Sequence, residues 1–247
     1  MKRFLYWSGL FVCAGGLLLC SGLFLRQWME YRAGEQAYQA LTDSVVTQPS
    51  SLQPDRSEYS GPVPDINFEA LERINPEGVG WLYLPDTAIS YPVAQGENNT
   101  YYLKHLFDGT PNSAGSLFLD SRCHGFEGKN SVIYGHYMKN GTLFASLSEY
   151  QDQEYYEAHP NVYLITPEGV LTVQLFSAYI AGAEDDAWQL DFDTEEEYGI
   201  WLEGLQDRSC FVCGIAPTTS DRVVTLSTCN YTFENARFVC HGRILEP

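Results

Sequence analysis

Short apolar segments separated by turn residues are the feature of this 247-residue sequence that most constrains its fold. From residue 79 onward these segments are four to ten residues long, and Gly, Pro and Asn recur between them. Segments of this kind are typical of β-strands, and many in succession favour a closed or nearly closed β-barrel. The predicted strands are residues 80–84, 89–93, 115–119, 131–134, 162–166, 171–180, 222–226 and 236–245.

Three stretches have helical character instead. A short helix is predicted over 67–74, and a second over 143–150. A longer helix over 194–206 begins with a capping-box pattern, in which Thr194 precedes Glu197 by three residues. Its apolar residues recur at helical spacing and are predicted to pack on the barrel: Tyr198, Trp201, Leu202 and Leu205.

The N-terminal segment Phe4–Leu25 contains no charged residue and is preceded by Lys2 and Arg3. A bilayer-spanning helix needs about 20 residues, so residues 1–26 are predicted to form a single-pass anchor. The basic residues favour a cytoplasmic N-terminus and an extracellular remainder. A cleaved signal peptide and a lipoprotein site at Cys20 are the alternatives.

The rest of the chain divides into a linker and one globular domain. Residues 27–46 are predicted to continue as a polar helix, and residues 47–64, rich in Ser, Pro, Gln and Asp, to form a flexible tether. Residues 65–247 are long enough for one domain with its own core.

Charge and cysteine content exclude some functions. The formal net charge of −18 argues against a nucleic-acid partner, because phosphate binding needs clustered Lys and Arg. The seven cysteines leave at least one thiol without an intramolecular partner. Cys210 and Cys213 have CxxC spacing, which is compatible with a redox pair or half a zinc site, but no second motif accompanies them. We therefore predict no metal site at this motif.

A reactive constellation is predicted where two strands meet. Cys229 follows the apolar strand 222–226, and Arg237 begins the alternating strand 236–245. If these strands are neighbours, Arg237 lies near Cys229, where a cation favours the thiolate and stabilises an oxyanion. His136, after the strand 131–134, is the predicted proton-transfer residue. His241 is its main competitor, since it shares a strand with Arg237.

These motifs resemble those of the sortases, most closely class B. They are Thr225-Leu226-Ser227-Thr228-Cys229, Arg237, and the strand-Gly-His motif that ends at His136. The resemblance covers roughly 66–245. It implies a mostly β fold, namely a sortase-type closed β-barrel of about eight strands with peripheral helices, here preceded by the predicted transmembrane helix. Class B members carry a helix between the sixth and seventh strands, where 194–206 is predicted.

The resemblance also implies an activity. A class B sortase is a cysteine transpeptidase that cleaves an NPQTN-like or LPxTG-like sorting motif through a Cys thioester. It joins the surface protein to a peptidoglycan amine and needs no cofactor. Cys229, His136 and Arg237 would be catalytic, with the membrane, the sorting peptide and the peptidoglycan amine as partners. The alternatives are a pilus-polymerising sortase, a cysteine peptidase and a non-catalytic anchored binding module.

Four residues are predicted to contact the substrate. Asn99 and Leu103 lie one helical turn apart in a segment that resembles the groove-lining segment of class B sortases. Ser227 shares a strand face with Cys229, so its hydroxyl is placed to bond the substrate backbone. Thr228, directly before Cys229, completes this set.

Overall fold

The computed structural model describes residues 2–47, 63–182, 184–229 and 235–245. For residues 2–6, 8–13 and Cys229 it describes the backbone alone. Two compact units are present, residues 1–40 and residues 41–247. The larger unit contains every strand of the chain that the structure describes.

Helix α1, Lys2–Val45, is followed by the short strand β1, Val46–Thr47. β1 pairs antiparallel with β2, Asp65–Ile66, so Thr47 lies opposite Asp65. Residues 48–62, most of the predicted tether, lie outside the described residues, and the tether stays a prediction. The polar helix predicted over 27–46 is present as the second half of α1.

The predicted membrane anchor is wrong. Within the described ranges, no helix combines the length and the apolar character that crossing a bilayer requires. Helix α1 includes the segment 4–25 and continues through Arg26, Glu30 and Arg32. The single-pass location predicted from this segment is therefore wrong, and the predicted membrane partner has no support in the described ranges.

The predicted eight-stranded closed barrel is confirmed. Going round the barrel, the strand order is β10-β8-β7-β3-β4-β5-β6-β9. The strands are β3 Gly78–Tyr83, β4 Ser90–Ala94, β5 Leu117–Leu119, β6 Asn130–Gly135, β7 Asn161–Thr166, β8 Gly169–Ala181, β9 Val223–Cys229 and β10 Arg237–Leu245. Full closure removes the exposed sheet edges that invite aggregation.

Two of the strand pairs are parallel, β4 with β5 and β6 with β9. The pair β9–β10 is antiparallel, as the two flanking sequence motifs required. β9 therefore lies between β6 and β10. Its residues 223–226 are buried on both faces of the strand. A continuous apolar sequence such as Val223-Val224 suits a strand covered on both faces.

Helices lie around the barrel. α2, Phe68–Ile74, is capped by the Asn67 side chain, which accepts from the amide of Ala70. The helix predicted over 143–150 is a 3₁₀ helix, Ala145–Gln151, followed by α3, Gln153–Ala158.

α4, Glu195–Asp207, follows the sequence prediction closely. The Thr194 hydroxyl accepts from the amide of Glu197 at 3.1 Å, as a helix N-cap does. The carboxylate of Glu197 instead accepts from the amide of Asp193, one residue before the expected capping-box partner. The apolar stripe is buried against β8, β9 and β10, as predicted: Tyr198, Trp201, Leu202 and Leu205.

Candidate active site

The register of three strands brings the candidate catalytic residues to one end of the barrel. β6 and β9 run parallel with Gly135 opposite Thr228, so His136, one residue beyond the ladder, follows alongside Cys229. On the other side of β9, Arg237 is the direct partner of Cys229. Since neighbouring strands lie about 4.8 Å apart, the Cys229 backbone is flanked on one side by His136 and on the other by Arg237.

Strand alternation puts these positions on the same face of the sheet. Residues two apart on a strand share a face. Tyr134 and His136 therefore share one, as do Ser227 and Cys229, and Tyr134 pairs with Ser227 in the ladder.

The His136 ring is half-buried and is held by a backbone carbonyl. Its Nε2 lies 2.8 Å from the carbonyl oxygen of Leu103. Leu103 ends a 3₁₀ helix, Tyr101–Leu103, in the connection between β4 and β5. Leu103 was predicted as an apolar substrate contact, and the structure brings its backbone carbonyl to the candidate proton-transfer residue.

Arg237 is half-buried at the start of β10, and its Nη1 donates to the carbonyl oxygen of Ala236 at 3.0 Å. A planar guanidinium has five N–H donors in a fixed fork, so one such bond leaves donors for a substrate carbonyl.

Ser227 and Thr228 have different surroundings. Ser227 is 2% exposed, and its hydroxyl accepts from the indole Nε1 of Trp188 at 3.0 Å. Trp188 ends a 3₁₀ helix, Asp186–Trp188, between β8 and α4. Thr228 is on the opposite face and 1% exposed, and its hydroxyl has no hydrogen-bond partner in the described part of the chain. The alternation of β9 thus turns Thr228 away from the face that carries Ser227.

Asn99 belongs to a buried polar network that the sequence analysis missed. Its Oδ1 accepts from the amide of Ser121 at 2.8 Å, and its side chain also bonds the carboxylate of Asp120. Asp120 is fully buried and receives two side-chain bonds from Arg122, at 2.9 and 2.8 Å, and one from Tyr134 at 3.0 Å. The signal was an Asp-x-Arg sequence directly after the strand 115–119.

This network fixes a charge close to the candidate site. Burial alone would raise the pKa of Asp120, but the bonds from Arg122, Asn99 and Tyr134 outweigh it and bring the pKa to about 2. Asp120 is therefore ionised across the whole physiological range. Because Tyr134 precedes His136 by two residues, the network also ties the end of β6 to the segment that carries Asn99.

His241, the competing histidine, lies elsewhere. It is completely buried under α4, and its Nδ1 is 2.9 Å from the hydroxyl oxygen of Thr225. Burial, and then the charge of Arg208, lower its pKa to about 3. A neutral, enclosed imidazole of this kind is a packing residue.

The CxxC cysteines are free thiols, and each donates to a different element of structure, Cys210 to a 3₁₀ helix and Cys213 to β8. Cys210 lies 3.3 Å from the carbonyl oxygen of Tyr150, and Cys213 lies 3.3 Å from that of Phe176. Burial raises the pKa of the Cys210 thiol. Across the described ranges, no group of three or more His, Cys, Asp and Glu is arranged to hold a metal ion.

Comparison with known proteins gives consistent matches. A family model described as "Sortase domain" matches residues 82–245. Sortase B of Listeria monocytogenes is 34% identical over 181 residues, which cover 71% of this chain and 72% of that protein. The crystal structure of Clostridium perfringens sortase B superposes with a TM-score of 0.70 at 33% identity, over 73% of this chain and 100% of that one. A Staphylococcus aureus sortase B–substrate complex superposes with a TM-score of 0.69 at 33% identity, over 72% and 84% of the two chains.

Proposed function

Because this chain belongs to the sortase family and is a cysteine transpeptidase of the sortase B type, we propose that it acts through a thioester on Cys229. The observation that carries the proposal is the strand register. It sets the Cys229 backbone between His136, beyond the end of β6, and Arg237, at the start of β10. These residues would supply a nucleophile, a proton-transfer group and a fixed cation, a combination that suits acyl transfer through a thiol.

In the first half-reaction, the Cys229 thiolate attacks the carbonyl carbon of the scissile peptide bond. The guanidinium of Arg237 favours the thiolate and holds the oxyanion of the tetrahedral intermediate. The C–N bond then breaks, His136 protonates the leaving amine, and the thioester remains.

In the second half-reaction, an amine attacks the thioester carbon and His136 accepts its proton. The C–S bond breaks, and the thiolate is regenerated together with a new amide bond. Neither half-reaction consumes an oxidant, a reductant or a metal. The acceptor is proposed to be a peptidoglycan amine, with water as the competing acceptor that gives hydrolysis.

The substrate is a peptide, and its sorting motif is proposed to be NPQTN-like or LPxTG-like. The Staphylococcus aureus relative has been solved as a substrate complex. Ser227 and Asn99 are proposed to bond the peptide backbone near Cys229. Leu103 and Thr228 are proposed to shape the same subsite, Leu103 from the half-buried connection and Thr228 from beneath the strand.

The catalytic domain is proposed to comprise residues 65–247, and residues 27–64 to act as the linker before it. The family model begins inside this range, at residue 82, and ends at residue 245, at the end of β10. The compact unit 41–247 contains the whole proposed domain.

The test is mass spectrometry of the full-length protein incubated with a mixed library of NPQTN-like and LPxTG-like peptides, with and without amine nucleophiles. We expect an acyl adduct on Cys229 that disappears when an amine is added and a new amide product forms. Cys229→Ala should form neither, whereas Cys240→Ala, which removes a buried thiol, should form both. An adduct on another cysteine, or unchanged cleavage by Cys229→Ala, would contradict the mechanism.

A further inference from the structure

The imidazole of His136 is held in one tautomer by a backbone oxygen. Its Nε2 is 2.8 Å from the carbonyl oxygen of Leu103. A carbonyl oxygen only accepts hydrogen bonds, so Nε2 carries a hydrogen whether the ring is neutral or charged. The nitrogen that gains and loses a proton is then Nδ1.

The residue before Leu103, Tyr102, is anchored by hydrogen bonds of its side chain, and it thereby restrains the backbone that carries the Leu103 carbonyl. Tyr102 is 2% exposed; its hydroxyl donates to Oε2 of Glu77 at 2.5 Å and accepts from Nδ2 of Asn75 at 2.7 Å. Asn75 also bonds the amide of Glu77 through its Oδ1 at 2.9 Å. Burial, and then the bond to Glu77, raise the pKa of Tyr102, so its hydroxyl keeps its hydrogen over the working pH range.

Gly115 provides the space for this arrangement. It has a left-handed backbone, with φ of +62°. A Cβ at this position would lie 2.5 Å from the carbonyl oxygen of Tyr102, 3.0 Å from that of Leu103 and 3.1 Å from Cδ2 of His136. Such distances require the 3₁₀ helix or the imidazole to move. The absence of a side chain therefore allows the helix and the ring to approach each other.

We infer that Tyr102 and Gly115 are positioning residues, which hold the Leu103 carbonyl against Nε2 of His136 and so assign proton transfer to Nδ1. This inference rests on the proposed function in giving His136 a proton-transfer role. Its structural part, the single tautomer, holds for the resting protein. A ring free to exchange tautomers would present the wrong nitrogen for part of the time, and the rate would fall in proportion.

The decisive measurement is long-range ¹H–¹⁵N NMR of the full-length protein labelled with ¹⁵N-histidine, in which the two ring nitrogens are distinguished by their couplings. The His136 signals are identified by their loss in His136→Gln. A pH titration is recorded on Cys229→Ala, which removes the coupled thiol. We expect the neutral ring to carry its hydrogen on Nε2, and the large ¹⁵N shift on titration to occur at Nδ1. A neutral ring protonated on Nδ1 would overturn the inference.

Substitutions test the two positioning residues. Tyr102→Phe should give a mixture of tautomers and lower kcat roughly fivefold to tenfold, with KM changed less than twofold, because proton transfer rather than binding is impaired. Tyr101→Phe is the matched control: it removes a hydroxyl from an exposed tyrosine of the same 3₁₀ helix and should change neither reading. If Tyr102→Phe kept both the wild-type tautomer and the wild-type kcat, Tyr102 would not be a positioning residue.

Gly115→Ala disturbs the same contact from the side of the Tyr102 and Leu103 carbonyls and the His136 ring, while the Tyr102 hydroxyl that bonds Glu77 and Asn75 is retained. It is the second, independent variant. We expect the same mixed tautomer and the same selective loss of kcat. An unchanged spectrum in Gly115→Ala would remove Gly115 from the proposal. The NMR readings need no turnover, so a failure of the tautomer assignment is distinct from a failure to process any peptide.

Discussion

The buried His241 should make the stability of this protein fall in mild acid. Its Nδ1 is 2.9 Å from the hydroxyl oxygen of Thr225, and that hydroxyl donates its single hydrogen to Oδ1 of Asn130 at 2.7 Å. Nδ1 must therefore be the protonated nitrogen of the neutral ring. A second proton would go to Nε2, which is buried without a hydrogen-bond partner among the described residues.

The magnitude follows from the difference between the two states of the chain. Burial, and then Arg208, lower the pKa of His241 from 6.5 to about 3 in the folded state. Below about pH 6.5 the unfolded chain binds a proton that the folded protein refuses, so stability is complete above that pH and is lost as the pH falls towards 3. The slope approaches about 1.4 kcal/mol per pH unit, which amounts to about 2.5 kcal/mol between pH 6 and pH 4.

The assay is chemical denaturation of wild type and His241→Gln at several pH values. Glutamine keeps an N–H donor for the Thr225 hydroxyl but does not titrate. The wild-type free energy of unfolding, minus that of the variant, should fall by about 2.5 kcal/mol from pH 6 to pH 4. A pH-independent difference for His241→Gln would refute the reasoning.

Three further predictions concern the site and its supports. Arg237→Lys should lower kcat/KM for peptide cleavage by about 10²-fold, because lysine lacks the planar guanidinium fork. Arg243→Lys, on the same strand, should lower it less than about twofold. Equal effects of the two substitutions would contradict the oxyanion role. Asp120→Asn should destabilise the protein by about 3 kcal/mol in denaturant melts at neutral pH. This loss of stability should shrink as the pH falls from about 4 towards 2, because the wild-type carboxyl protonates over that range. A loss that does not depend on pH would be evidence against the ionised network. Thr194→Ala should cost about 1 kcal/mol in thermal or chemical melts, whereas Thr194→Ser should cost almost nothing, and equal losses would exclude the N-cap as the cause.

The barrel was predictable because its sequence signals are local. Turn residues delimit each strand, and the alternation of the last segment identifies β10. The helix α4 was predictable for the same reason, since Thr194 and the apolar stripe lie within one stretch of sequence. The segment 143–150 was placed correctly but became a 3₁₀ helix beginning at Ala145, because local spacing does not distinguish the two helix types.

The features that escaped the sequence analysis depend on long-range contacts. Asp120 bonds Arg122, two residues further on, but Tyr134 and Asn99 come from two other segments, and only the folded chain brings them to the carboxylate. Leu103 was chosen for its side chain, although the atom that reaches His136 belongs to its backbone, which every residue type carries. The membrane anchor was predicted from the absence of charged residues over 4–25, but no helix in the described part of the chain is apolar enough over a sufficient length to cross a bilayer.

The parallel pairing of β6 with β9 also determines when the enzyme becomes active as it folds. Asn130 pairs with Val223 and Gly135 with Thr228, so the ladder joins residues more than ninety positions apart along the chain. Contacts of such long range require closing a large loop, which makes them slow to form. β10 must then pair with the other side of β9, which puts Arg237 opposite Cys229. Arg237 therefore reaches its place opposite Cys229 only once both ladders have formed, so a partly folded chain lacks the arrangement proposed for catalysis.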